Sequence, residues 1–252
     1  MKKFLSLVLA LVMTMSLVTV SAGAKEFTDD DAITYGEAIE VISTIGVVDG
    51  YADGKFNPTN NLTRQAAAKI ICNLVLGPTT AASLTADTAP FPDVPVNGDF
   101  AGYITYCAQR GIINGYPDGT FKPGNPLTGY AFMKMLLGAL GYNAEIEGYI
   151  GDNWSVAVAK QAIGIGLATG LEGDFNGTKT VNREEACLYA LNMLQADMVE
   201  YGTIINSSVT GNVLNVGTSV ARSREWRSSA SRVNNIKNDN IIQFAEEYFN
   251  KL

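Results

Sequence analysis

The stretch at residues 111–128, GIINGYPDGTFKPGNPLT, decides the fold because it occurs more than once in the chain. A similar stretch, GVVDGYADGKFNPTNNLT, fills residues 46–63, and a shorter one, GLATGLEGDFNGTKTVN, fills residues 166–182. An apolar pattern with helical spacing leads into each copy, and another leads out of it. Repetition of this kind indicates copies of one supersecondary unit. The chain is therefore predicted to be mostly α-helical, with three helix–loop–helix repeats.

The apolar residues that follow each copy fall on one helix face, with the spacing of a helix that buries one side. Thr63, Thr128 and Asn182 precede these helices and are predicted N-caps, because such side chains accept a hydrogen bond from the first turn. The second helices of the three repeats are predicted to bury matching sets: Ala67, Ile70, Ile71, Leu74 and Val75, then Phe132, Met135, Leu136, Ala139 and Leu140, then Ala186, Tyr189, Ala190, Met193 and Leu194.

The two ends of the chain differ from the repeats. Residues 1–24 contain two lysines, an apolar run and a small-residue Ala-Gly-Ala cleavage site, which predicts a secretory signal peptide and an exported protein. The first repeat is placed at residues 25–78, a linker and the second repeat at 79–145, and the third repeat at 146–202. The remaining residues, 203–252, read as a linker-like tail with a short helix near its C-terminal end.

The composition argues against several classes of function. The chain has no histidine, which removes the usual general base and the usual zinc ligand. Cys72, Cys107 and Cys187 form no metal-binding pattern and fall on apolar helix faces, so they are predicted to be small core residues. The formal net charge of −7 argues against general binding to nucleic acid or to an anionic membrane. We predict no catalytic residue, no cofactor and no metal site.

The first two loops partly resemble calcium-binding loops. Asp49 and the Asp53-Gly54 pair match three positions of an EF-hand loop, but the third and twelfth positions lack the expected ligands. The loop that contains Asp118 departs from the pattern in the same way. Tight turns are therefore the favoured interpretation of Asp53 and Asp118.

Arg64, Arg183 and Trp154 are the candidates for contact with a ligand. Both arginines open a helix, where free backbone N–H groups and the helix dipole favour anions. An arginine there can bind a carboxylate or a phosphate through two hydrogen bonds, or it can lie solvated on the surface. Trp154 either packs in the core or offers a stacking platform for a sugar. The Thr63 and Thr128 side chains are more typical of helix caps than of ligand contacts.

The second repeat carries the strongest family resemblance. Phe-Pro-Asp-Val at residues 91–94, Tyr103-Ile104, the run GIINGYPDGTFKP and the following Leu-Thr together resemble an S-layer homology (SLH) repeat. Three such repeats would cover about residues 27–195. The resemblance implies a pseudo-threefold, three-pronged helical unit whose grooves bind a secondary polysaccharide of the Gram-positive cell wall, often a pyruvylated glycan.

The same resemblance implies roles for individual residues. The arginine of the family's Thr-Arg-Ala-Glu motif matches Arg64 and Arg183, whereas Gly129 stands there in the second repeat and predicts a weak groove. The motif's glutamate matches only Glu185, and the tryptophan at the start of the first helix matches only Trp154. The predicted ligand-binding set is Arg64, Arg183, Trp154, Thr63, Thr128, Asp53 and Asp118.

The predicted function is non-covalent anchoring of an exported protein to the cell wall or S-layer. The predicted partner is a secondary wall polysaccharide or a peptidoglycan-linked glycan, with no nucleic acid, no membrane span after signal cleavage, and self-association as a further possibility. Two alternatives stay open at this point. The first alternative is a structural S-layer subunit that assembles laterally. The second is the anchor part of a truncated surface enzyme. The short tail and the lack of a nucleophile motif argue against the enzyme.

Overall fold

The computed structural model describes residues 26–203, 219–226, 237 and 239–249, so the predicted signal peptide lies outside the described residues. This part of the chain is mainly helical, as predicted. Its elements, in chain order, are α1 (Gly36–Thr44), α2 (Arg64–Leu76), α3 (Pro78–Ala81), α4 (Ala101–Gln109), α5 (Gly129–Leu140), α6 (Trp154–Gly164), α7 (Arg183–Leu194), β1 (Val199–Thr203), β2 (Ser219–Ser223) and α8 (Phe244–Tyr248).

The predicted helix starts and buried faces are confirmed. The side chains of Thr63, Thr128 and Asn182 cap α2, α5 and α7, each accepting a hydrogen bond from the backbone N–H three residues later. Asn182 and Glu185 form a reciprocal capping box. All fifteen apolar residues predicted for these three helices are buried. Local sequence therefore determines where the second helix of each unit begins and which face it buries.

Three backbone hydrogen bonds join the residues that precede the three caps. Leu62 N–H donates to the Val181 carbonyl at 2.8 Å, Leu127 N–H to Leu62 at 2.8 Å, and Val181 N–H to Leu127 at 3.0 Å. The three bonds close a ring, and the three side chains are buried around it. The entries to α2, α5 and α7 therefore meet at one point of the fold.

The first turns of these helices form a second cycle of backbone hydrogen bonds, which runs in the opposite direction around the three units. Backbone N–H groups at a helix start have no partner within the helix and must find one elsewhere. Here the first N–H group of each helix donates to a carbonyl in the loop before the second helix of the next unit, and the third unit donates to the first. The bonds run from Arg64 N–H to the Asn125 carbonyl (3.0 Å), from Gly129 N–H to Lys179 (2.9 Å) and from Arg183 N–H to Asn60 (3.0 Å). Each helix start is thus bound to the loop of a different unit.

The segment after α2 is more ordered than the linker expected there. Gly77 adopts a positive φ of 75°, and Pro78 then opens the short helix α3, since proline is well suited to a first helical position. Ala81 is buried beneath this turn. A Cβ atom on Gly102 would collide with the Leu84 carbonyl, so the segment lies directly against α4.

The described part of the tail is packed against the body rather than linker-like. Strands β1 and β2 pair antiparallel, and Met198, Arg224 and Ile242 close a second ring of three backbone hydrogen bonds, each 2.8 Å long. Helix α8 contacts α2 and α7 and buries Phe244 completely. The sequence suggested a linker because residues 222–240 are polar, and the apolar anchors are single residues without helical or strand periodicity.

Candidate functional site

Arg64 lies at the first position of α2, and its side chain extends onto the loop of the second unit. Its Nε donates to the Phe121 carbonyl at 2.7 Å, and one terminal nitrogen donates to the Asn114 carbonyl at 3.0 Å. The guanidinium lies 4.4 Å from the ring centre of Phe121 and 4.8 Å from that of Tyr116. Burial lowers the pKa of Arg64 from its usual value. The guanidinium plane is thus fixed from several sides.

Arg183 repeats this arrangement at the start of α7, on the loop of the first unit. Its Nε donates to the Phe56 carbonyl at 2.9 Å, and a terminal nitrogen donates to the Asp49 carbonyl at 2.8 Å. The ring centres of Tyr51 and Phe56 lie 4.7 and 4.6 Å from the guanidinium carbon. The two arginines therefore make equivalent contacts, each with the loop of a different unit.

Each arginine has donor capacity beyond its structural hydrogen bonds. A guanidinium carries five N–H groups, and the loop carbonyls account for two hydrogen bonds at each site. A planar, pre-oriented guanidinium loses little conformational freedom when it forms a paired bond to a carboxylate. The arginines can therefore hold a loop in place and still bind an anion.

Arg64 borders a cavity of about 160 Å³ between the units. Lys134 from α5 and Trp154 from the start of α6 also line it, together with Gly115 and several apolar side chains. The Lys134 ammonium lies 5.4 Å from the Trp154 ring centre, and burial lowers the pKa of Lys134. This cavity combines two cations with an aromatic ring, a combination that suits an anionic sugar.

Sequence reasoning missed Lys134. Lys69 of α2 and Lys134 of α5 stand at the same position relative to their N-caps, whereas α7 has Leu188 there. That pattern was visible in the sequence. A role for Lys134 in the cavity follows only from its contact with Trp154, which belongs to a different unit.

Trp154 is half-buried and lies between the core and the cavity. Its ring packs edge-on to Tyr130, with 6.4 Å between the ring centres, and it also lines the cavity beside Lys134. The ring is thus held by the core on one side and available on the other.

The groove predicted to be weak has no cation at either equivalent position. Gly129 replaces the arginine, and Leu188 replaces the lysine. A Cβ atom on Gly129 would lie 3.0 Å from Gly177 Cα and 3.2 Å from the Phe175 ring. Close packing between the second and third units occupies the space that a side chain would need.

The other four predicted site residues have local structural roles. Thr63 and Thr128 cap their helices. Asp53 accepts the Lys55 N–H, while Asp118 accepts the N–H and hydroxyl of Thr120 and pairs with a nearby lysine. The Thr120 hydrogen bonds, with that lysine, hold the pKa of Asp118 well below its usual range. Among the described residues, none of the four lines the cavity beside Arg64, so their contact with a ligand stays a prediction.

Two aspartates that sequence reasoning left out position the loops beneath the arginines. Asp93 accepts the N–H groups of Phe121 and Lys122 at 2.8 and 2.7 Å, and Lys122 has a positive φ of 55°. Asp29 holds Phe56 and Asn57 in the same way. These carboxylates fix the backbone whose carbonyls the arginines bind.

Asp93→Asn is expected to lower the free energy of unfolding by about 1 kcal/mol, because an amide cannot accept both charge-assisted bonds. Burial acts to raise the pKa of Asp93, but the two N–H donors outweigh it and hold that pKa below its usual value. Its contribution is therefore fully present above about pH 4 and is lost as the pH falls through the folded-state pKa. Thermal unfolding measured between pH 2 and pH 7 checks this, since the variant should lose part of the acid sensitivity.

In the described part of the chain, no helix is both long and apolar enough to span a bilayer. The same residues contain no cluster of three or more side chains suited to a metal ion.

The chain was compared with known proteins. Residues 26–68 and 90–129 match the S-layer homology domain. The match falls within the first two units and includes Arg64, Asp93 and the loop held by Arg64. It confirms the S-layer homology resemblance for those two segments.

Two similarities extend over most of the chain, and a third covers a shorter part of it. A "Surface layer protein" of Brevibacillus choshinensis is 25% identical over 85% of this chain, and a "Cell surface protein" of Thermoanaerobacter kivui is 27% identical over 80%. A "Cellulosome-anchoring protein" of Acetivibrio thermocellus is 37% identical over 31% of the chain. The chain spans 19%, 26% and 17% of the lengths of these relatives.

These similarities support two of the predictions. They indicate a secreted protein located in the cell wall or S-layer. They also support attachment at the cell surface in the broad sense.

Proposed function

We propose that this chain anchors an exported protein to a Gram-positive cell wall by binding an anionic secondary polysaccharide without a covalent bond. The observation that carries the proposal is the cavity bordered by Arg64, Lys134 and Trp154. Its chemistry fits a sugar that bears a carboxylate, such as a pyruvate ketal. The names of the relatives, which include surface-layer and anchoring proteins, support the same conclusion.

The proposed architecture is three SLH repeats arranged with pseudo-threefold symmetry, each contributing one prong. The ring formed by Leu62, Leu127 and Val181 supports this arrangement, as does the cyclic bonding of helix starts to neighbouring loops. The assignment of residues 146–202 as a third repeat is supported by the N-cap at Asn182, by the buried face of α7 and by the place of Val181 in that ring.

Each chemical group in the groove has a distinct task. Arg64 offers paired N–H donors to the carboxylate, which gives direction as well as charge. Lys134 adds a second positive charge in a half-buried place, where Coulomb attraction is stronger than in bulk water. The exposed side of the Trp154 ring stacks on an apolar sugar face. An acidic protein thereby binds an anionic polymer through locally concentrated cations.

Two of the three grooves are proposed to bind. Arg183 provides the second site, since its contacts reproduce those of Arg64 and Lys69 matches Lys134 in sequence position. The third groove has Gly129 and Leu188 instead of the two cations. Its share of the binding is therefore small.

Lys134→Met tests the proposal because methionine keeps most of the stem that packs in the cavity and removes the charge. We expect affinity for purified secondary wall polysaccharide to fall about tenfold, the value of one charge-assisted contact. Isothermal titration calorimetry measures it. Lys160→Met, on the exposed face of α6, is the matched control and should leave the affinity unchanged. An equal loss in both variants would show that only overall charge matters.

A second candidate function is lateral assembly into a surface layer. Four large apolar side chains are exposed on or just before α6: Ile146, Ile150, Val156 and Ile163. Val156 and Ile163 are seven positions apart in α6 and therefore share one helix face, and exposed apolar side chains that share a face are typical of protein interaction sites. Light scattering that rises with protein concentration in the absence of wall material is the result that this function requires.

A further inference from the structure

Cys72 and Cys107 lie side by side in the core, although they are 35 positions apart in the chain. Their sulfur atoms are 3.6 Å apart, and both side chains are fully buried. Cys72 belongs to α2 in the first unit, and Cys107 belongs to α4 in the second. The two thiols therefore meet across the boundary between units.

The helices that carry the two cysteines approach each other closely at this point. The Cys72 sulfur lies 3.5 Å from the Tyr103 carbonyl of α4, and the Cys107 sulfur lies 3.7 Å from the Ala68 carbonyl of α2. Each sulfur therefore contacts the other helix at the carbonyl of the residue four positions before the cysteine of that helix. A disulfide needs its two α-carbons close together and its sulfurs about 2.05 Å apart. Here the two sulfur atoms are already in van der Waals contact, on two helices that pack against each other.

We propose that Cys72 and Cys107 form a disulfide bond that links α2 to α4 and so locks the first unit to the second. Cys187 stays a free thiol, since it is buried in α7, which packs against α1. This pairing was not predictable from the sequence, because the cysteines are odd in number and widely spaced.

The bond forms by exchange with a low-molecular-weight disulfide. One cysteine thiolate attacks the external disulfide and releases one thiol, and the second cysteine then attacks the mixed disulfide and releases the other. The protein loses two protons and two electrons, and the external disulfide is reduced to two thiols. The hydrogen bond to Cys107 and burial both raise the pKa of Cys72, which leaves little reactive thiolate once the core has closed. Exchange therefore takes place while α2 and α4 are still assembling, after export.

The proposal predicts a definite thiol count. The full chain, refolded in oxidised glutathione and then denatured without a reductant, should show one reactive thiol instead of three. Its intact mass should lie about 2 Da below that of the reduced chain, and peptide mapping should join the Cys72 and Cys107 peptides. The oxidised chain should also unfold at a temperature roughly 5–10 °C higher than the reduced chain.

Two variants serve as controls. Cys187→Ala should retain the cross-link and show no free thiol, whereas Cys107→Ala should retain two thiols and lose the effect of oxidation on the unfolding temperature. Three free thiols in the refolded wild-type chain would overturn the proposal. So would glutathione adducts in place of the cross-link, or a map that joins Cys187 to either partner. None of these readouts depends on wall binding, so their outcome is independent of the proposed function.

Discussion

A chain that carries both Arg64→Lys and Arg183→Lys is expected to bind wall polysaccharide at least about a hundredfold more weakly than the wild type. Lysine keeps the charge but offers a single ammonium, which cannot bond two loop carbonyls and also present a flat pair of donors to a carboxylate. Each lost paired contact is worth about 1.5–3 kcal/mol, and both proposed grooves are affected. The affinity of the polysaccharide for the purified chain, measured by calorimetry, gives the result directly.

The arginines also brace the loops, so stability must be followed in the same experiment. Loss of the hydrogen bonds to Phe121 and Phe56 should lower the unfolding temperature by a few degrees without changing the helical circular dichroism at 20 °C. Arg110→Lys is a matched control, because Arg110 also stacks on a tyrosine, at 4.6 Å from the Tyr106 ring, but lies outside the groove. Unchanged affinity in the double variant would contradict the role proposed for the arginines.

Gly141→Ala is expected to destabilise the protein by about 3 kcal/mol. Gly141 ends α5 with a φ of 107°, in a region that residues with a side chain rarely adopt. A Cβ atom there would fall on the Val199 carbonyl of β1, so β1 would have to move away from the end of α5. Strain of about 1–2 kcal/mol and overpacking of 1–3 kcal/mol together give the estimate. Urea unfolding followed by circular dichroism measures it.

Gly148→Ala separates backbone strain from the collision. Gly148 has a φ of 71°, but nothing lies within 4 Å of a Cβ atom built on it. Its substitution should therefore cost about 1 kcal/mol, the strain alone. Equal losses of unfolding free energy in the Gly141 and Gly148 variants would contradict the close packing of β1 against the end of α5.

The features that the sequence could predict are the local ones. Caps such as Thr63 act within one helical turn, and the buried stripes follow from helical spacing alone. The same is true of the turns at Asp53 and Asp118, whose hydrogen bonds span only two residues. The secretory signal peptide and the domain boundaries stay predictions.

The features that the sequence could not predict depend on contacts between units. Glu184 is one example, since its buried carboxylate accepts the N–H of Thr34 at 2.7 Å, 150 positions away. Lys134 is another, because its neighbour Trp154 belongs to the next unit. The packing of Phe244 shows the same limit in the tail, where one buried side chain gives no periodic pattern. The order of the units around the ring decides the contacts of Glu184 and Lys134, and the packing of the tail on the body decides the burial of Phe244.

The roles of Arg64 and Arg183 combine both kinds of information. Sequence placed each at the first position of a helix and suggested an anion contact, which stays a prediction. Their contacts with two aromatic rings, and their hydrogen bonds to loop carbonyls of another unit, appear only in the folded chain. A helix-start position alone would not have explained why the guanidinium is held so firmly.

Co-sedimentation with purified Gram-positive wall sacculi, before and after acid removal of the secondary polysaccharide, tests the central claim most directly. We predict that the purified chain sediments with intact sacculi and stays in the supernatant once the polysaccharide has been removed. Sedimentation that survives the acid treatment would contradict the claim and indicate peptidoglycan as the ligand. Failure to sediment with either preparation would contradict it as well, and would favour lateral assembly as the function of this chain.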